Sequence, residues 1–278
     1  MTTEPDPGEM TELGCLLASG TDAAEFLQAQ LSADLAELHA GQLALAGWHN
    51  PQGRLRSLCW AGPLENGNWR LVTDANQLDP LATGLSRYVL RAKVSFSPEP
   101  DSSVGIAEND GTQAANISQW SLPGTDRQSL VAGPVLPAGA LAPLAARAAL
   151  ISAGVPRLDA TLSDQFLGQS LNLDILAGIS FAKGCFPGQE VLARLHNLGQ
   201  VKRRLLRFGF EGALPAIGAR VVNPSGEHRG QVICRSEAGE LLASVELRAL
   251  PQALLIEGSE APLSQLPLPY PIPELTDT

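Results

Sequence analysis

The residues Lys183-Gly184-Cys185-Phe186-Pro187-Gly188-Gln189-Glu190 crowd an ammonium, a thiol and two glycines into one short run. Gly184 and Gly188 permit backbone angles or close approaches that a side chain would block. Pro187 suits the first turn of a helix, and Glu190-Val191-Leu192-Ala193-Arg194 continues in a helical pattern. Amide N–H groups at such a helix start, with the Lys183 ammonium beside them, would favour thiolate over thiol at Cys185. That is the condition for a nucleophilic or metal-binding cysteine. The competing reading is a tight turn in which Cys185 is merely a small buried hydrophobe.

Cys15, Cys59 and Cys234 are scattered, and no C-x-x-C pair occurs. That spacing argues against a zinc ribbon, a dithiol redox pair or a self-contained cluster site, so no permanent metal is expected. Downstream of the motif, Lys202, Arg203, Arg204 and Arg207 form a basic set in a chain of formal charge −10. It could face an anionic carboxylate tail or a phosphate, or be the solvated end of an element, as His196 could be structural or functional. The acidic balance opposes a protein whose main business is coating nucleic acid: direct nucleic-acid binding is not expected, and any RNA contact must be local. Neither a Walker loop nor a G-x-G-x-x-G fingerprint is present.

The elements that must position these residues follow from period and punctuation. Residues 1–11, acidic with Pro5, Pro7 and Gly8, read as a disordered leader without a signal sequence, and no run is apolar enough to span a membrane, so the cytoplasm is the expected location. A helix is expected from Thr21, with Leu27, Leu31, Leu35 and Leu38 as its buried stripe and Ser32-Ala33-Asp34 as a potential interruption. Strands are expected over 43–48 and 54–60 around the turn Asn50-Pro51-Gln52-Gly53, and again at 69–73. A helix marked by Asp79-Pro80 follows, then a strand at 94–96 and short β pieces over 97–139. A further helix over 140–152 is stopped by Gly154-Val155-Pro156. Glycine-punctuated short strands from Leu205 predict a small β-barrel. The last twenty residues, with Pro262, Pro267, Pro269, Pro271 and Pro273, read as extended rather than packed into regular elements. At 278 residues, two or three subdomains are expected.

With these residues in view, the chain resembles the YgfZ-type folate-binding proteins, relatives of the aminomethyltransferase (T protein) of glycine cleavage and of a mitochondrial iron–sulfur assembly factor. The likeness is carried by Lys183 to Glu190, Arg194, Gly199, Lys202 and Arg203. It extends through Phe26-Leu27-Gln28, Gln30-Leu31-Ser32-Ala33-Asp34, Asn50-Pro51-Gln52-Gly53-Arg54, Gln165-Phe166-Leu167, Gln169 and Asn172-Leu173, covering about residues 12–250. The resemblance implies an α+β, aminomethyltransferase-like fold of several subdomains with a C-terminal β-barrel around a central cleft. On that pattern 12–205 divides into two interleaved subdomains, 12–46 with 137–205 and 47–136, followed by the barrel at 206–257 and the Pro-rich tail at 258–278.

Two departures weaken the enzymatic analogy. The strand that carries a catalytic carboxylate in T-protein relatives reads Arg54-Leu55-Arg56-Ser57-Leu58-Cys59-Trp60, with no acid, and Ser152 stands where they place a pterin-recognising glutamate. Gly168 stands where the family commonly has proline. The resemblance therefore implies a tetrahydrofolate-binding accessory factor for iron–sulfur assembly or repair. Its partners would be cluster proteins and the assembly machinery, with a tRNA-methylthiolating enzyme served indirectly. Cys185 and Lys183 would be the working pair, and Asn50, Gln52, Gln189, Glu190 and Arg194 the candidates for folate contact. Gly184, Gly188, Lys202 and Arg203 complete the motif. A true aminomethyltransferase, or an interaction scaffold with a vestigial pocket, are the alternatives.

Overall fold

The computed structural model describes residues 12–109 and 116–275; the expected leader over 1–11 lies outside them. Period-two patterning in the N-terminal part builds a five-stranded antiparallel sheet in the order β2-β3-β4-β1-β5. Its strands are β1 (Leu13–Ser19), β2 (Ala44–His49), β3 (Leu55–Pro63), β4 (Trp69–Asp74) and β5 (Ser95–Pro98). Alternate side chains enter two different cores. Leu16, Ala18, Cys59, Ala61 and Leu71 pack beneath α1 (Ala23–Gln30) and α2 (Leu78–Ser86), while Leu13, Cys15, Leu58, Trp60 and Val72 join the central core. Covering both faces explains why β3 reads as an almost unbroken apolar run. The segment 12–46, placed with 137–205 on sequence, thus contributes β1 to a sheet whose other strands come from 44–98.

Helix α1 ends sooner than its leucine stripe suggests. Leu31 and Leu35 are buried in the same core as Leu27, but the chain leaves the helix because Ser32 finds better partners elsewhere. The Ser32 N–H donates to Gly47 O (2.9 Å), its hydroxyl donates to Gly178 O (2.5 Å), and Gly47 N–H donates back to that hydroxyl (2.9 Å). Helix α2 carries Asp79 and Pro80 in its first turn, as its sequence marks predict, and Gly84 lets it close on the Trp48 ring, 2.1 Å from where a Cβ would stand.

Beyond the first sheet, β6 (Ser103–Glu108), β7 (Ser118–Ser121) and β8 (Gln128–Gly133) form a three-stranded antiparallel sheet. Helix α3 (Pro143–Ser152) then starts at a proline and ends at Gly154, whose φ of +66° allows Val155 N–H to bond back to Leu150 O. After α4 (Gln189–Leu198), six strands curl into the C-terminal half-barrel in the order β13-β10-β11-β12-β9-β14. They are β9 (Arg203–Gly209), β10 (Arg220–Val222), β11 (His228–Ser236), β12 (Glu240–Glu246), β13 (Leu255–Ile256) and β14 (Ser264–Leu266). Leu206 and Phe208 of β9 fill the curl, and Leu205 just before them belongs to the central core.

The Pro-rich tail corrects its sequence reading. Ser264–Leu266 adds β14 to the free edge of β9. Beyond it Leu268, Tyr270 and Ile272 turn inward between exposed prolines, because an extended backbone sends alternate side chains to one side. The Tyr270 hydroxyl donates to Gly154 O at 2.6 Å, so the tail straps the end of α3 to the barrel. No helix of the described residues is long and apolar enough to cross a membrane.

Candidate functional site

Three motifs that lie far apart in sequence meet around Cys185. On one side, Lys183 Nζ donates to the carbonyl oxygens of Gln28 (2.5 Å), Ala33 (2.7 Å) and Leu31 (2.8 Å). These carbonyls belong to the C-terminal end of α1 and the turn after it, where a cation is favoured. The Phe26–Asp34 motif is therefore a receptacle for Lys183. Gln28 shapes it, accepting from Leu35 N–H and donating to Asp34, each at 2.8 Å. Burial pushes the Lys183 pKa down to about 8, so it is still an ammonium at neutral pH.

This placement corrects the role expected for Lys183. An ammonium has three N–H donors, and all three are taken by main-chain oxygens, leaving none to hold a thiolate at Cys185. Lys183→Met should leave these carbonyls partly unpaired and lower unfolding free energy by about 2–4 kcal/mol in urea titrations. Unchanged stability would mean that the ammonium serves something other than this cap.

On the other side, Phe186 is buried against the His49 ring (centroids 6.1 Å apart), and the Lys183 ammonium lies 5.7 Å from the centre of the Phe186 ring. Gly188 takes φ +81°, and a Cβ there would lie 2.5 Å from Asn50 O and 2.7 Å from Gly53 Cα. The Asn50–Gly53 turn thus sits directly on the start of α4. Pro187, expected in the first helical turn, instead precedes the helix, because Gly188 in the left-handed region is the N-cap.

Between these two anchors the loop tip is bare. Gly184 needs no left-handed backbone, a Cβ there would meet nothing within 4 Å, and Cys185 is exposed. Cys15, Cys59 and Cys234 are all buried, none of the four is in a disulfide, and burial pushes the Cys59 thiol up to about 12 and Cys234 to about 11. Iodoacetamide should therefore label one cysteine per native chain within minutes, and none in Cys185→Ser. The other three should react only through unfolding, slower by orders of magnitude given about 5–15 kcal/mol of stability. Peptide mapping by mass spectrometry checks this, and comparable labelling at a second cysteine would contradict it.

The other expected site residues divide sharply. Asn50 is spent on its own turn: Oδ1 accepts from the N–H groups of Gln52 and Arg54 (each 3.0 Å), and Nδ2 donates to Asp164 (2.6 Å). Gln189 closes the motif loop through Nε2 to Lys183 O at 3.5 Å. Gln52, Glu190, Arg194 and Lys202 are exposed. The rest of the basic set is not available to a ligand as expected. Arg203 pairs with Glu246 (2.7 Å), buried Arg204 with Asp174 (2.6 Å) and Arg207 with Glu240 (2.8 Å), so these cations fasten the barrel. The Ser152 hydroxyl accepts from Arg207 at 3.0 Å, and His196 stacks on Phe181 with ring centroids 4.1 Å apart.

Two buried polar side chains lie behind the loop. His49 is 1% exposed, neither ring nitrogen makes a well-formed hydrogen bond among the described residues, and burial pushes its pKa down to about 3, so it is neutral. Gln169 donates to Leu192 O (2.8 Å) while its Oε1 is left without a partner among the described residues. The sequence signal for His49 is its place immediately before the Asn50 turn.

No protein-family model matches the chain. The tRNA-modifying protein YgfZ of Edwardsiella ictaluri is 32% identical over an alignment of 300 positions, covering 91% of this chain and 88% of that protein. Its counterpart in Yersinia pseudotuberculosis is 31% identical over 235 positions, covering 72% of this chain and 70% of that one. Among solved structures, the glycine cleavage system aminomethyltransferase T from Bartonella henselae superposes with a TM-score of 0.71 at 14% identity, covering 94% of this chain and 84% of that one. The fold is therefore aminomethyltransferase-like.

Proposed function

This chain belongs to the YgfZ family, and on that premise we propose that it is a folate-binding accessory factor for iron–sulfur cluster assembly or repair, with Cys185 as its working thiol. The observation that carries the reading is the bare Gly184-Cys185 tip, held between two anchors that are both built from motif residues. A buried structural cysteine needs no such presentation. A thiolate at this tip can donate a lone pair to iron or exchange with a disulfide of an approaching protein. Among the described residues no cluster of three or more His, Cys, Asp or Glu side chains is placed to hold a metal. In this reading ligation is completed by the partner or by a small thiol, and the protein handles a cluster only in passing. The curated relatives are named tRNA-modifying proteins. In this chain that link is read as indirect, through a cluster enzyme that methylthiolates tRNA. Four cysteines without a disulfide suit a reducing cytoplasm.

For tetrahydrofolate, the cations not spent on ion pairs are the ones to consider. Arg194 and Lys202 would receive the carboxylates of its glutamate tail, and the His49 nitrogens, without a well-formed hydrogen bond among the described residues, and Gln169 Oε1 are polar atoms of the kind a pterin edge requires. With no carboxylate in β3 and Ser152 in place of a glutamate, these neutral groups replace the acids of an aminomethyltransferase, so binding without turnover is expected. Equilibrium titration should show saturable tetrahydrofolate binding, weakened about tenfold by Arg194→Glu with Lys202→Glu. No methylenetetrahydrofolate should form from an aminomethylated carrier. Absence of saturation up to about 1 mM, equivalent to about 4 kcal/mol, would remove folate from the account.

A further inference from the structure

A concave site separate from the Cys185 loop lies between α2 and the start of β3. It is a cavity of about 510 Å³ lined by Trp48, Arg56, Asp79, Thr83, Arg87 and Asp164, among others. Trp48 lines it, and Tyr88 stands beside that lining. The Arg56 guanidinium lies 5.2 Å from the centre of the Trp48 ring and donates to the Tyr88 hydroxyl at 3.3 Å, and Tyr88 stands edge-on to Trp48 with centroids 6.3 Å apart. Tyr88 is 41% exposed, a large aromatic surface with no core to fill, whereas Trp48 is 5% exposed and its indole N–H finds no acceptor among the described residues.

Asp79 and Asp164, both exposed, bring carboxylates to the lining, with Asp164 3.6 Å from Arg56 Nε. Arg87 stands at the mouth, and Arg91 and Lys93 follow on the same exposed turn, with Leu90 90% exposed between them. Among the described residues neither Arg87 nor Arg91 forms an ion pair, whereas the Lys93 N–H donates to the Asp22 carboxylate at 2.7 Å and its ammonium acts on the same carboxylate. Most arginines of the chain behave differently, as Arg70, Arg147, Arg157, Arg203, Arg204 and Arg207 show. In a protein of net charge −10, Arg87 and Arg91 thus bring cations without an ion pair to the side of an exposed tyrosine.

We propose that this groove binds single-stranded nucleic acid, one unstacked base entering the cavity while the flanking phosphates lie on Arg87 and Arg91. The chemistry is matched at each level. A base at the edge of the cavity stacks on the exposed Tyr88 ring beside it, an exocyclic amino group donates to the Asp79 carboxylate, and guanidinium groups take the backbone charge. An acidic peptide would satisfy the rim but would bring its carboxylates against Asp79 and Asp164, and it has no use for an aromatic wall. Cytosine, adenine and guanine carry the amino group; uracil does not.

The test is fluorescence anisotropy of the full chain with fluorescein-labelled twelve-residue oligonucleotides, C and U homopolymers as RNA and C homopolymer as DNA, at several salt concentrations, with polyglutamate as competitor. Saturable binding is expected, with oligo-C favoured over oligo-U by about fivefold, and the RNA and DNA arms decide which polymer is preferred. Arg87→Glu with Arg91→Glu should weaken binding at least about tenfold for all sequences and reduce the salt slope by about 1.4, for two lost phosphate contacts. Tyr88→Ala should cost about tenfold, and Asp79→Asn should erase the C-over-U preference with the salt slope unchanged. These side chains are exposed, and thermal melts of each variant verify folding. Three results would each overturn the proposal: no saturation up to about 0.1 mM for either polymer, equal competition by polyglutamate, or a double charge reversal that leaves affinity within about twofold.

Discussion

Gly188→Ala is expected to destabilise the protein by about 2–5 kcal/mol, while Gly184→Ala, in the same motif, leaves stability within about 0.5 kcal/mol. The two glycines look equivalent in sequence and are not. Gly188 holds φ +81°, which costs an L-residue about 1–2 kcal/mol, and its Cβ would stand 2.5 Å from Asn50 O and 2.7 Å from Gly53 Cα. Those are main-chain atoms of a turn already fixed by the Asn50 side chain and its bond to Asp164, so they cannot swing aside. Overpacking of that kind adds about 1–3 kcal/mol. Urea titration should show a midpoint lowered by about 1–2 M for Gly188→Ala, with the slope unchanged. A midpoint equal to that of the wild type would mean that the turn and α4 are not locked together. At Gly184 a methyl group enters open space, so any loss of function there comes from what approaches the loop, not from the fold.

The strands and their turn were legible because their causes are local. The apolar runs of β3 and β4 and the turn residues Asn50 to Gly53 state their own conformations, and Asp79-Pro80 and Gly154 mark the start and stop of helices. What the sequence hid were choices between local and distant partners. Leu31 and Leu35 continue a helical stripe, but Ser32 is claimed by Gly47 and Gly178, far away in the chain. Lys183 lies beside Cys185 in sequence, yet the carbonyls left open at the end of α1 outcompete a thiolate for its donors. Arg203, Arg204 and Arg207 read as a ligand-facing set only while Glu246, Asp174 and Glu240 cannot be seen across the barrel. The tail misled for the same reason. Its prolines announce an extended chain, and nothing in them announces that β9 offers a free edge or that Tyr270 finds Gly154.

The same comparison sharpens the motif. Of its residues, Lys183, Phe186, Gly188 and Gln189 are accounted for by contacts that build the loop, and Gly184 and Cys185 are not. A loop anchored at both ends in order to expose two residues that stabilise nothing is the physical form of the claim that Cys185 works.

Complementation tests that claim most directly. A strain deleted for this gene, supplied with wild-type or Cys185→Ser protein at equal levels, would be assayed for the methylthiolated fraction of its tRNA. The serine variant exchanges one exposed atom, so its melting temperature should stay within about 2 °C of the wild type. It should nevertheless leave tRNA methylthiolation at the level of the empty deletion strain. Full restoration of methylthiolation by Cys185→Ser would contradict the account.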